Sequence, residues 1–108
     1  MSTRIDLVLD QGADFLTVFN VQAANGSPVD LSMYSSASQM RKDYLSNTYI
    51  QFNMSTDANG NVTMNLPSGN TMSITPGRYR YDIEITSPSN VISRIVEGII
   101  DVSPNITR

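Results

Sequence analysis

From residue 78 to residue 86 the chain alternates without interruption. Tyr79, Tyr81, Ile83 and Ile85 fall on one face, and Arg78, Arg80, Asp82, Glu84 and Thr86 on the other. Period two is the signature of a strand with one face buried and one wet. Shorter stretches repeat the pattern. Ile5, Leu7 and Leu9 alternate with Asp6, Val8 and Asp10, which predicts a first strand that Gln11-Gly12-Ala13 breaks. Residues 15–21 form a second, more apolar strand. Asn25-Gly26-Ser27-Pro28 is a turn, since Asn and Gly both tolerate positive φ. Residues 29–34 read as a short edge strand, and residues 38–43 as a further strand with Met40 inward and Arg41 outward.

Two alternating runs, residues 49–54 and Val62-Thr63-Met64-Asn65-Leu66, flank Asp57-Ala58-Asn59-Gly60-Asn61 and predict a β-hairpin. Pro67-Ser68-Gly69-Asn70 ends it, with at most a turn of helix over residues 68–73. Ser87-Pro88-Ser89-Asn90 turns the chain out of the strand at 78–86. Residues 91–102 are ambiguous, because apolar positions 91, 92, 95, 96, 99 and 100 also fit a helical period. The wealth of Val and Ile and the hairpin turn before them favour a strand. Gly98 is then the expected site of a bulge that shifts the inward face. The sum is seven to nine strands in one all-β domain, residues 1–108, with 103–108 extending as a tail. An antiparallel β-sandwich is the natural architecture.

Composition agrees. The 108 residues suit one domain able to bury a real core. Charged residues make up only 16%; Ser, Thr and Asn fill their place, as in short strands joined by polar turns. The net charge is −3 and the longest basic run is Arg41-Lys42, so nucleic acid is not a natural partner. Cysteine is absent, which rules out a disulfide scaffold. The opening Met-Ser-Thr-Arg-Ile-Asp has no apolar core of a signal peptide, and no apolar run is long enough to span a membrane. The expectation is a complete soluble product made in a cytosol.

Chemistry is sparse. With no His and no Cys, the common general base, triad partner and thiol nucleophile are missing. Catalysis would rest on carboxylates, and Asp82 and Glu84 sit two apart on one strand face beside Arg78 and Arg80. Carboxylate pairs cleave glycosides when they face each other across a cleft; a charge-balanced outer face is the plainer reading. Asp57-Ala58-Asn59-Gly60-Asn61 suggests a calcium loop, but Gly60 stands at position four and Ser68 at position twelve, where an EF-hand needs Gly at six and Glu at twelve. Asn25, Asn53, Asn61 and Asn105 begin glycosylation triplets that mean little without a signal peptide. Tyr34, Tyr44 and Tyr49 are candidates for exposure, and exposed aromatics favour interfaces or sugar contact. No cofactor and no metal ligand set is expected.

Thr75-Pro76-Gly77-Arg78-Tyr79-Arg80-Tyr81 gives the architecture a more specific cue. It places Tyr79 just after a corner and two residues before the inward Tyr81. Immunoglobulin-like sandwiches use such a corner tyrosine, whose hydroxyl bonds backbone a few residues upstream. Gly77, Tyr79 and Tyr81 are therefore the structural site residues expected from the sequence.

Several motifs also resemble, in order, those of small structural domains of tailed bacteriophages. Gln11-Gly12-Ala13-Asp14-Phe15 resembles their QG-x-[DT]-[FW] opening. Asn25-Gly26-Ser27-Pro28-Val29-Asp30-Leu31 resembles a dG-x-P-x-DLtG segment, and Ser38-Gln39-Met40-Arg41 an a-q-[IM]-R strand. Thr75-Pro76-Gly77-Arg78-Tyr79-Arg80-Tyr81-Asp82-Ile83 resembles l-x-pG-x-Y-x-YD[LIV]. Arg94 to Gly98, Val102-Ser103-Pro104 and Ile106-Thr107-Arg108 resemble the closing motifs. One departure is Leu31-Ser32-Met33-Tyr34, where the family pattern usually has a Gly. The resemblance spans nearly the whole chain, and each motif alone is loose strand-and-turn grammar.

The resemblance implies a β-sandwich virion protein, similar to amino-terminal domains of baseplate or tail-fibre proteins, with no catalytic residue to transfer. The expected function is non-enzymatic assembly in the tail, baseplate or neck. The expected partners are other virion proteins and further copies of the chain, with no nucleic acid or membrane. Exposed sheet edges would serve as templates between subunits. The alternatives are a head decoration protein of the same fold and a host-surface carbohydrate-binding module; an enzyme is the weakest reading.

Overall fold

The computed structural model describes residues 3–23, 25–43 and 48–104. Among them lie nine strands and one helical turn: β1 (Thr3–Arg4), β2 (Leu7–Asp10), β3 (Phe15–Asn20), β4 (Ser35–Arg41), β5 (Ile50–Gln51), β6 (Asn53–Thr56), β7 (Asn61–Leu66), α1 (Ser68–Thr71), β8 (Gly77–Thr86) and β9 (Ile92–Ser103). The fold is all-β. Six strands form a larger sheet in the order β1-β9-β8-β4-β5, with β2 also paired to β9, and three form a smaller sheet in the order β3-β7-β6.

The inward residues of both sheets share one core. Leu9, Met40, Ile83 and Ile100 from the larger sheet and Val62 and Met64 from the smaller are fully buried. Phe52 marks where one stretch of chain leaves the larger sheet as β5 and joins the smaller as β6. Its amide donates to the Ser38 carbonyl at 3.0 Å, and its ring lies 5.7 Å from that of Phe15. A strand that changes sheets in this way ties the two layers together at a corner. The hairpin β6–β7 forms around Asn59-Gly60, with Thr56 opposite Val62. The ambiguous segment is the strand β9, antiparallel to β8.

Four expectations need correction. The larger sheet is mixed, not antiparallel throughout, because β1 and β2 run parallel to β9. Alternation reveals which face a residue takes but not the direction of its neighbour. The first strand is also interrupted at Ile5-Asp6, which separates β1 from β2. Residues 29–34 form no strand. Asp30 accepts hydrogen bonds from the Ser32 amide and hydroxyl, and Tyr34 N–H closes a turn on the Leu31 carbonyl at 3.0 Å. This side-chain turn competes successfully with extension and needs no glycine. The apolar Leu31 still enters the core and is fully buried. Finally, the irregularity in β9 lies at Ile95, since Ile83 pairs with Val96 and Glu84 with Arg94. Gly98 stays in register opposite Tyr81 and has a different purpose, described below.

No helix among the described residues is long and apolar enough to cross a membrane. Ser103 ends β9 and Pro104 is exposed; the rest of the expected tail, 105–108, lies outside the described residues, as does Tyr44.

Candidate functional site

The sequence-predicted residues Gly77, Tyr79 and Tyr81 lie together on the first half of β8. Tyr79 is buried and its hydroxyl donates to the Thr75 carbonyl at 2.6 Å, four residues upstream. Burial raises the pKa of this phenol above its ordinary value. Gly77 opens the strand at a φ of 144°, which side-chain-bearing residues rarely adopt. Lys42 covers the outside of the corner, its Nζ 4.8 Å from the centre of the Tyr79 ring.

The corner is braced from a distance by residues that alternation does not single out. Gln11 Nε2 donates to the Ile74 carbonyl at 2.9 Å. Ser68 N–H donates to Asp14 Oδ1 at 2.7 Å. Thr71, fully buried, donates from its hydroxyl to the Ala13 carbonyl at 2.8 Å and accepts from Gly12 N–H at 3.1 Å. The 11–14 turn and the 67–75 connection are therefore one hydrogen-bonded unit. The signal available in the sequence was the polar Gln11, Asp14 and Thr71 flanking turn residues, but nothing local pairs segments about sixty positions apart.

Tyr81 closes a second long-range knot. Its buried hydroxyl donates to the Ile5 carbonyl at 2.6 Å. Ile5 N–H donates to the Glu97 carbonyl at 2.9 Å, and Ile99 N–H to Asp6 Oδ1 at 3.1 Å. Gly98 lies beneath this crossing, where an added Cβ would collide with the Ile5 carbonyl oxygen. Burial, and then the nearby Asp6 charge, hold the Tyr81 phenol well above its usual pKa.

The outward face of β4, β8 and β9 forms a shallow depression of about 290 Å³, where Arg4, Arg41, Arg80 and Arg94 meet Asp82, Glu84 and Glu97. Asp82 is bound by Arg94 at 3.3 Å, and Arg94 also reaches Glu97 at 3.5 Å. Glu84 stands opposite Arg94 on β9. The two carboxylates weighed as an acid pair thus share one strand face within an interleaved charge network. They do not oppose each other across a cleft. Exposed pairs of this kind stabilise weakly.

The suggested calcium loop is a hairpin turn with its carboxylate in use. Asp57 Oδ1 accepts from Asn59 N–H at 2.8 Å and Asn61 N–H at 3.0 Å, and Oδ2 from the Asn61 amide at 3.1 Å. The Asn61 backbone bond and then its side chain hold the Asp57 pKa below the carboxylate norm. Tyr34 is half-buried; Tyr49 is exposed, with the Arg41 guanidinium 4.8 Å from its ring centre.

Some exposed apolar side chains lie on edge strands, while others, Met33, Met72 and Val91, lie in connections. Val8 lies outward on β2, and Leu16 and Val18 lie outward on β3, 67% and 53% exposed. β3 is an end strand of the smaller sheet.

No family model and no curated protein matches the chain. Among solved structures, an internalin-like protein of Listeria monocytogenes is similar at a TM-score of 0.45 and 12% identity, over 96% of this chain and 28% of that one. The chain spans little more than a quarter of that protein's length.

Proposed function

We propose that the chain is a non-enzymatic assembly component of a tailed-phage virion, placed in the tail, baseplate or neck, and built as an immunoglobulin-like β-sandwich. The strand order supports the architecture. In immunoglobulin constant-type domains the second, fifth and fourth strands share one sheet and the seventh, sixth and third share the other. Here β3-β7-β6 and β9-β8-β4 follow that order. The Tyr79 hydroxyl on the Thr75 carbonyl has the geometry of a corner tyrosine.

The observation that carries the assembly reading is that part of the exposed apolar surface lies on edge strands. Val8, Leu16 and Val18 sit outward on edge strands of both sheets, where unpaired backbone and apolar side chains favour association with other chains. Several groups with chemical potential are engaged in structure: Asp82 with Arg94, Asp57 with its own turn, and two tyrosine hydroxyls with backbone carbonyls. The ordered motif resemblance is what supports a phage particle as its setting.

Immunogold electron microscopy of purified virions, using an antibody that recognises the native protein, tests the address. Label on the tail or baseplate is expected. Label over the head would replace this reading with head decoration, and unlabelled virions would overturn the virion role.

A further inference from the structure

We infer that β3 is a self-association edge, along which a second copy of this chain adds its own β3 in antiparallel register. The inference rests on the reading of the chain as an assembly module and gives that module a partner and a surface.

Edge strands of soluble proteins are usually blunted by charge, proline, brevity or irregularity. The other edges here follow that rule. The β1–β2 edge is broken at Ile5-Asp6 and carries Arg4, Asp6 and Asp10. β5 has two residues, and β6 has four, three of them polar. β3 is different. Its six residues, Phe-Leu-Thr-Val-Phe-Asn, include no charge and no proline.

Its backbone is also correctly phased. Val21 N–H donates to the Gly60 carbonyl at 2.7 Å, in step with the β3–β7 register. Backbone groups alternate in direction along a strand, so Thr17 and Phe19 turn theirs toward β7 and Leu16 and Val18 turn theirs to the open side. That edge offers a donor and an acceptor at two consecutive outward positions.

The sequence of β3 selects its own copy as occupant. A twofold axis perpendicular to the sheet through Thr17 sets Leu16 opposite Val18 of the second copy, and Val18 opposite its Leu16. The same operation sets Phe15 opposite Phe19. Every outward apolar side chain meets another, and each such pair forms twice, as an isologous contact requires. No charged side chain on β3 or β7 opposes it. The outer positions beside Leu16, Val18 and Asn20 on β7 are Asn65, Thr63 and Asn61, all uncharged.

The test uses the purified chain in sedimentation velocity. At micromolar concentration the protein is expected to dimerise. Leu16→Lys places a charge opposite an apolar partner and is expected to weaken the dimer about tenfold or more. Val18→Pro removes an amide that points outward and costs no bond to β7, so it gives the same result without a charge. Val8→Lys, on the other sheet, leaves the dimer intact. Circular dichroism verifies that each variant is folded. Register is read separately. The chain has no cysteine, so Thr17→Cys reports on the axis. Residue 17 faces its own copy across a non-hydrogen-bonded pair, where the Cα separation suits a disulfide. Oxidation is expected to link Thr17→Cys into dimers and to leave Leu16→Cys largely unlinked. A protein that stays monomeric, or a dimer lost in Val8→Lys and kept in the β3 variants, would overturn the inference. Either result leaves the immunogold outcome untouched, and unlabelled virions would leave the dimer untouched.

Discussion

Tyr81 and Ile5 stand 76 positions apart, yet the phenol of one donates a 2.6 Å hydrogen bond to the carbonyl of the other. The contact falls where β1 gives way to β2, so the Ile5 carbonyl is satisfied by a side chain. It fastens the parallel amino-terminal strand to the sheet. Tyr81→Phe keeps the ring and leaves that carbonyl without its donor. The expected loss is about 1–2 kcal/mol, the range for an unmade buried hydrogen bond. Urea unfolding measures it, and an unchanged midpoint would mean that the crossing is held by the Ile5 and Ile99 amides alone.

The same phenol makes stability depend on alkaline pH. Its folded pKa is raised, by burial first and by Asp6 second. A raised tyrosine pKa means that the folded state holds its proton more tightly than the unfolded chain, whose tyrosines titrate near ~10. The contribution is therefore complete below that value and is lost as pH climbs from there toward the folded pKa. Tyr79, raised by burial, adds in the same direction. Urea midpoints of the wild type should fall as pH rises past ~10, and those of Tyr81→Phe should fall less steeply. Parallel curves would remove Tyr81 as the cause.

Gly98→Ala tests the crossing from below. The new methyl would collide with the Ile5 carbonyl oxygen, and that oxygen is backbone, held by Tyr81. Either the amino-terminal strand lifts or β9 bends. Overpacking of this kind costs about 1–3 kcal/mol. Amide hydrogen exchange should show the damage concentrated on Ile5 and Ile99, the amides that tie β1 and β2 to β9 at this crossing. A variant as stable as the wild type would show that the strand yields freely there.

What could be read from the sequence was what alternation encodes. The face assignments in β8 were visible because Tyr79, Tyr81, Ile83 and Ile85 differ so plainly from their neighbours. The β6–β7 hairpin was visible because Asn59-Gly60 is a local signal. The parallel pairing of β2 with β9 was not, since the partners lie at opposite ends of the chain and no residue type marks strand direction. Gly98 stands out in the sequence as a special position, but its kind does not. A glycine in a strand marks either a bulge or a close approach, and only the position of Ile5 decides between them. The brace of Gln11, Asp14 and Thr71 was hidden for the same cause, distance along the chain.

Tyr79→Phe separates the corner from the crossing. The lost bond is local, from the hydroxyl to a carbonyl four residues back. The expected cost is about 1–2 kcal/mol. The two losses should add when Tyr79→Phe and Tyr81→Phe are combined, because the hydroxyls bind different carbonyls. A large deviation from additivity in urea unfolding would mean that the corner and the crossing loosen as one unit.

Asp57 provides the opposite sign at low pH. Its carboxylate accepts two backbone amides and the Asn61 side chain, and its pKa is lowered accordingly. A lowered folded pKa gives stability that is present above the unfolded carboxylate value of ~3.9 and is lost as pH falls through the folded one. Asp57→Ala removes all three acceptor contacts, so it should unfold at lower urea than the wild type at neutral pH. The gap should narrow as acid protonates the wild-type carboxyl. Asp57→Asn keeps one carbonyl oxygen able to accept from the Asn59 and Asn61 amides, so it should lie between the two and show the weaker pH dependence. A gap that stayed constant down to the acid limit would place the stabilisation in the shape of the turn and not in its charge.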